Sequence, residues 1–250
     1  MFENAELTQF IKGKIKLYQS KEGYRFNLDP VLLSNFIKIN KRNGNLIDLG
    51  TGSGIIIILL SLKYPKLNFF AVELQESLYS LAKENFKING LNVKLLNEDI
   101  KNLGKLFSPN SFDYAVSNPP YFKLNSYTPK NLEEKLAKFE VKLTLDDLFK
   151  TVKYLLKDRG KFFIIYPVNR LSECLKISSK FNFELKRLRF VHPEKNSNST
   201  HFLAEFVKSG KVGLIVEKPL IVYEDKNEKI YTQELKYILE KFTDGEDYGN

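Results

Sequence analysis

Asn118-Pro119-Pro120-Tyr121 is a stretch with an obvious chemical use in this 250-residue chain. The Asn118 Oδ1 and the Pro119 carbonyl are neighbouring hydrogen-bond acceptors, and the two prolines fix φ and so stiffen both. Each acceptor can take one N–H of an –NH2 group. The amino group of adenine, or an amide nitrogen, has its lone pair delocalised and attacks poorly. Gripped by both hydrogens, such a nitrogen gains charge as it pyramidalises, and its lone pair is aimed. Orientation of this kind can account for many powers of ten in rate. The Tyr121 ring can stack on the planar group, worth about 1–3 kcal/mol for a base. No metal or strong base is required, because the proton becomes acidic only after the new bond has formed. Asn and Pro also favour turns, so position must decide whether the motif is more than a turn.

A second constellation indicates what the nitrogen attacks. Asp48-Leu49-Gly50-Thr51-Gly52-Ser53-Gly54 holds three alternating glycines after an acid. Glycines there let the backbone turn tightly and approach a ligand. A dinucleotide fold needs G-x-G-x-x-G with its pyrophosphate on the helix N-terminus, and Ile55 occupies that third glycine position. S-adenosylmethionine carries no phosphate and has a positive sulfonium, which suits a carboxylate beside the loop. Glu73 follows Ala71-Val72 at the end of a second apolar run, where a carboxylate can accept from both ribose hydroxyls; NAD folds place an acid similarly. Asp99 follows a third run, where it could meet an adenine amino group or simply cap a helix before Ile100.

These residues need a frame that gathers strand ends. Apolar runs over 46–49, 67–72, 93–96, 112–116 and 162–166 alternate with helical patterns over 55–64, 75–89 and 145–156, the second closing on Gly90 as a left-handed cap. Strands alternating with helices imply βαβ units. The expected fold is α/β and Rossmann-like: a mostly parallel seven-stranded sheet with helices on both faces, plus an N-terminal β-ribbon and helix. The ribbon spans 10–17, and Asp29-Pro30 supply an N-cap and first-turn proline for a helix through Ile37. Strands over 183–191 and 202–207 pair around a polar loop, and a last strand over 214–223 precedes a helix over 232–242. Residues 1–250 form one domain: ribbon and helix over 1–42, catalytic core over 43–242, acidic tail over 243–250. In open α/β sheets ligands gather outside the carboxyl ends of strands, which puts the Asn118 motif, after the fourth strand, beside the glycine loop.

Composition bounds the setting. Hydrophobic residues make up 43% and charged residues 28%, a globular balance. The single cysteine, Cys174, excludes an intrachain disulfide and a thiolate cluster and suits a reducing cytosol; two histidines leave little for a zinc site. The longest apolar run, 55–60, is too short to span a membrane, and the start lacks a secretory pattern. With 39 Lys and Arg against 30 Asp and Glu, the net charge of +9 favours a polyanionic partner.

The glycine loop, Glu73 and Asp99 resemble those of the class I S-adenosylmethionine-dependent methyltransferases, and the Asn118 motif resembles that of their N-P-P-Y members. More narrowly, the chain resembles the bacterial tRNA(Val) adenine-N6 methyltransferase family, which modifies adenine 37 beside the anticodon. The narrower likeness rests on Tyr24-Arg25-Phe26-Asn27-Leu28-Asp29-Pro30-Val31-Leu32-Leu33, on Ala137-Lys138-Phe139-Glu140 (A-R-H-E in the family) and on the C-terminal pattern from Val191-His192-Pro193 to Ile230-Tyr231-Thr232. The resemblance implies catalysis by Asn118, Pro119, Pro120 and Tyr121. It implies S-adenosyl-L-methionine held by Asp29, Asp48, Gly50, Thr51, Gly52, Gly54, Glu73, Asp99 and Asn118, with no metal. It further implies a tRNA anticodon loop as partner, no membrane, a cytoplasmic location and a monomer. Basic residues suited to RNA are Lys12, Lys14 and Lys16 on the ribbon and Lys186, Arg187 and Arg189 near the last strands. Lys123, Lys130, Lys135 and Lys138 lie in a segment, 122–139, that reads as a lid ordering on RNA.

Other readings share parts of this pattern. A release-factor glutamine methyltransferase carries the same motif, but usually behind a helical N-terminal domain. Guanine-N2 enzymes more often carry Phe where Tyr121 stands. A nicotinamide oxidoreductase is opposed by Ile55, and a silent RNA-binding module would have no affinity for S-adenosylmethionine.

Overall fold

The computed structural model describes residues 5–10, 15–20, 28–41, 43–119 and 143–244. Pro120, Tyr121, the 122–139 segment with its four lysines, Ala137-Lys138-Phe139-Glu140, Tyr24-Arg25-Phe26-Asn27, Lys12 and Lys14 therefore lie outside the described residues.

The chain opens with β1 (Ala5–Phe10) and β2 (Ile15–Ser20), an antiparallel ribbon, then α1 (Asp29–Phe36). The alternating core follows: β3 (Gly44–Leu49), α2 (Ile55–Lys63), β4 (Leu67–Glu73), α3 (Glu76–Ile88), β5 (Val93–Asn97), a 3-10 turn (Ile100–Lys105), β6 (Phe112–Ser117), α4 (Leu145–Leu155) and β7 (Leu156–Pro167). Then come α5 (Leu171–Lys180), β8 (Phe183–Glu194), β9 (His201–Lys208), β10 (Ile215–Val216), β11 (Leu220–Asp225), β12 (Ile230–Tyr231) and α6 (Gln233–Asp244). The main sheet runs β12-β11-β8-β9-β7-β6-β3-β4-β5, with β10 also on β8. From β5 to β7 every pair is parallel, and β9 is antiparallel to both β7 and β8.

Alternation along β7 shows how one strand serves two cores. Phe163 and Ile165 join the core under α1, α2 and α6, whereas Phe162 and Ile164 join the one under α4 and α5. Successive side chains of a strand point to opposite faces, so a strand covered on both sides reads as a continuous apolar run. Helix α2 is buried from Ile55 through Ser61, as its nearly all-apolar sequence requires. Thr144 and Asp147 close a capping box that starts α4, and Gly90 (φ +67°) ends α3 as expected.

Four expectations are corrected. Among the described residues the main sheet has ten strands instead of seven, because the chain after β9 adds three short ones. The expected last strand over 214–223 is two, β10 and β11, which pair parallel to β8 around a break at 217–219 containing Pro219. The ribbon's strands flank 11–14, so the alternation over 10–17 straddles their connection. Leu28, and not Asp29, is the N-cap of α1, with Asp29 already inside the first turn beside Pro30.

Candidate active site

The carboxyl ends of β3, β4 and β6 place three groups of acceptors side by side. Gly50, Gly52 and Gly54 all have positive φ (79°, 58° and 87°), a run of left-handed turns that other residues resist. A Cβ at Gly54 would lie 2.6 Å from the Phe86 ring, so the loop sits directly on α3. A Cβ at Gly50 would meet nothing within 4 Å, leaving open space over the loop.

Asp48, at the end of β3, is fully buried; its Oδ2 accepts from the Thr51 hydroxyl at 2.6 Å, and its Oδ1 has no hydrogen-bond partner among the described residues. Burial pushes its carboxyl up to about 7, against the Thr51 hydrogen bond and with help from the nearby Glu73 charge. Glu73, at the end of β4, is 6% exposed and accepts from the backbone N–H of Gly52 and Gln75, both at 2.9 Å. Burial raises its pKa too, while those backbone donors pull it back. The Ser117 hydroxyl donates to the Leu49 carbonyl at 2.7 Å and so ties the end of β6 to the glycine loop. Asn118 comes next, and its Oδ1 is buried without a hydrogen-bond partner among the described residues. Pro119 is buried beside it.

Asp99 serves as the helix cap of its alternative reading: its Oδ1 accepts from the Lys101 N–H at 2.9 Å and its Oδ2 lies 3.6 Å from Lys101 Nζ. Asp29 lines a cavity that contains no glycine-loop residue. Arg187 and Arg189, expected on an RNA surface, are structural. Arg187 lies over the Phe36 ring and near Glu205, and Arg189 binds the Lys218 carbonyl and Glu234.

Asn85 went unnoticed in the sequence. It is fully buried in α3, donates to the Ser53 carbonyl (2.9 Å) and the Tyr18 carbonyl (3.0 Å), and accepts from the Tyr18 N–H (2.6 Å). One amide thus fastens the ribbon to the glycine loop. The available signal was an Asn between Ala82 and Phe86 on the apolar face of a helix.

A sequence profile described as a methyltransferase domain matches residues 40–242. The chain belongs to that family. The methyltransferase domain is 27% identical to the tRNA1(Val) (adenine(37)-N6)-methyltransferase of Bacteroides thetaiotaomicron, over 82% of this chain and 85% of the relative. Its fold matches that of a predicted O-methyltransferase from Agrobacterium tumefaciens, with TM-score 0.67, 16% identity, and coverage of 86% and 96% of the two chains. It also matches TYW2 from M. jannaschii, solved in complex with AdoMet, with TM-score 0.56, 20% identity, and coverage of 83% and 88%.

The donor set of this methyltransferase domain fits S-adenosylmethionine. Asp48, a buried carboxylate with no cationic partner among the described residues, suits a ligand bearing a sulfonium and an ammonium, and Glu73 beside it suits ribose hydroxyls. The loop is open at Gly50, where an added Cβ would meet nothing within 4 Å. Among the described residues no group of His, Cys, Asp or Glu could hold a metal ion, and no helix is long and apolar enough to cross a membrane.

Proposed function

We propose that this methyltransferase domain methylates N6 of adenine in tRNA, at adenine 37 beside the anticodon of tRNA(Val). The observation that carries the reading is the Asn118 Oδ1, a buried acceptor with no donor among the described residues, tied through Ser117 to the glycine loop. A buried acceptor left without a donor costs about 1–3 kcal/mol, a cost that an incoming N–H removes. When bound, S-adenosylmethionine supplies the methyl group as an electrophile. Gly50, Thr51, Gly52 and Gly54 shape its cradle, Glu73 accepts from the ribose hydroxyls, and Asp48 offers negative charge to its cationic end. Asp99 remains the candidate for the adenine end through its less occupied Oδ2. Asn118 and the Pro119 carbonyl accept the two amino hydrogens, draw charge onto nitrogen, and aim its lone pair. Pro120 stiffens the turn and Tyr121 stacks on the base. The relative in Bacteroides thetaiotaomicron supports the substrate, as does the net charge of +9. A cytoplasmic monomer organised as one domain completes the reading.

Asn118→Ala should lower methyl transfer to tRNA by at least about 100-fold, in the range seen when a preorganised transition-state contact is lost. Calorimetric affinity for S-adenosylmethionine should change little. Normal turnover in this variant removes the mechanism. Substrate identity is tested by offering purified tRNA and purified release factor in parallel and mapping the modified nucleoside by mass spectrometry. Methyl in the protein arm alone, or on guanine, replaces the adenine reading.

A further inference from the structure

Beyond Asn118 on the same edge of the sheet lies a cavity of about 570 Å³ between the ribbon, the start of α1 and the ends of β8 and β11. Its walls include Gln19, Asp29, His201, Tyr223, Lys226 and Tyr231. We propose that this cavity holds a second nucleobase of the RNA, one bearing an exocyclic amino group, next to the nucleotide being methylated. The proposal rests on the reading of the chain as an RNA methyltransferase and adds a recognition site to it.

Gln19 is 6% exposed, yet its Oε1 has no hydrogen-bond partner among the described residues. A buried amide acceptor in a cavity wall calls for an N–H donor, and an exocyclic amine is such a donor on a planar ring. Tyr223 and Tyr231 supply the aromatic wall, their rings 5.2 Å apart and tilted by 32°. Single-stranded RNA is read in this way, by bases splayed onto aromatic rings and hydrogen-bonded at their edges. Lys226 is exposed at the rim, where a phosphate would sit. The volume lies within the range of small-molecule sites.

Placement makes the site useful. Pro167 at the end of β7 pairs with His201, and Ser117 of β6 pairs with Ile164, so the cavity and Asn118 open on one edge. From β6 to β8 there are three strand spacings, roughly 14 Å in all, which a neighbouring nucleotide of an opened loop can cover. Asn85 fixes the backbone of Tyr18, the residue before Gln19, and also the glycine loop, so the base reader and the donor cradle share one anchor.

The test is Gln19→Met, which keeps length and burial but removes the acceptor. We expect KM for tRNA to rise about tenfold, the size of one lost hydrogen bond, with kcat and S-adenosylmethionine affinity unchanged. In the wild type, one abasic substitution flanking the target in an anticodon stem-loop RNA should cause a larger loss, since it removes the stacking as well. That loss should shrink in the Gln19→Met background by about the Gln19 contribution, since the abasic change removes that contact together with the stacking. Lys226→Ala, on the surface, should weaken binding of every RNA alike. An unchanged KM in Gln19→Met, or losses that add at every flanking position, overturns the proposal. The same variants are compared by fluorescence anisotropy with a labelled stem-loop RNA. Gln19-dependent RNA binding without methylation of any tRNA would overturn the methylation reading alone. Methylation of tRNA without Gln19 dependence would overturn the cavity alone.

Discussion

The two halves of the main sheet treat buried carboxylates in opposite ways. On the β3–β6 side, Asp48 and Glu73 are buried against a hydroxyl and backbone N–H groups, and Asp48 Oδ1 is left without any partner. On the β7–β11 side, Glu205 is 4% exposed but has Lys161 Nζ at 2.7 Å and Arg187 Nη1 at 3.5 Å. Arg187 also reaches Glu217 at 3.4 Å, lies 4.1 Å from the Phe36 ring and donates to the Phe36 carbonyl. Buried charges are normally paired or neutralised. The second half pairs its charges internally, even though Glu205 Oε2 and Arg187 Nε make no hydrogen bond among the described residues. The first half leaves it to be satisfied by a ligand, which is how a binding site differs from a structural ion network made of the same residue types.

The sharpest way to break the contrast is Arg187→Met. Taking one partner from a buried ion pair strands the other, and the expected loss of folding stability is about 3–5 kcal/mol by denaturant titration. S-adenosylmethionine affinity of the folded fraction should be unchanged. A loss below about 1 kcal/mol would mean that Lys161 alone neutralises Glu205, and the network would no longer set this half apart.

That contrast was half legible in the sequence. The glycine loop, Glu73 and the Asn118 motif could be placed because each follows an apolar run, and strand ends in this architecture converge on one edge. Arg187 and Arg189 were misread as RNA contacts, because charge in a strand carries no label saying whether an acid waits across the sheet. Glu205 and Glu217 become the partners of Arg187 only through the β8–β9 register and the parallel return of β10, and Glu234 becomes that of Arg189 only once α6 is in place. Gln19 and Asn85 failed for the same reason: a lone amide in a strand or helix shows its burial only after the ribbon has docked on α3. Asp29 looked like an N-cap by type, but the helix begins one residue earlier, at Leu28.

The second test acts on the other half and is smaller. Asp48 has its carboxyl raised from 3.8 to about 7, so between those values the folded state holds a proton that the unfolded state has released. The stability this contributes is fully present below about pH 4 and is lost as pH rises through about 7. Asp48→Asn keeps an acceptor for the Thr51 hydroxyl and removes the titration. In thermal melts without ligand, the wild type should lose stability from pH 5 to 8 by more than the variant does, and the variant should be the more stable at pH 8. S-adenosylmethionine should reverse the order, since its positive charge favours the carboxylate. Parallel pH profiles for the two proteins would show that Asp48 is not a charge held in reserve for the ligand.

The smallest effect is expected at the rim of the ion network, where Lys38 Nζ lies 3.5 Å from Glu217 Oε1 with its side chain 65% exposed. An exposed pair of this kind is worth about 0–1 kcal/mol. Lys38 also acts on Lys63, whose ammonium donates to the carbonyls of Ser34, Asn35 and Ile37 at the end of α1. Burial, with the nearby charges of Lys241, Arg187 and Lys38, pushes the Lys63 pKa down to about 7. Removing Lys38 therefore takes away one weak attraction and one repulsion. Lys38→Ala should leave folding stability within about 0.5 kcal/mol of wild type, the usual range for surface substitutions, with methyl transfer unchanged. A larger loss would show that Glu217 depends on a cation from α1's carboxyl end as well as on Arg187, and that the paired half extends across the helix layer instead of ending at the sheet.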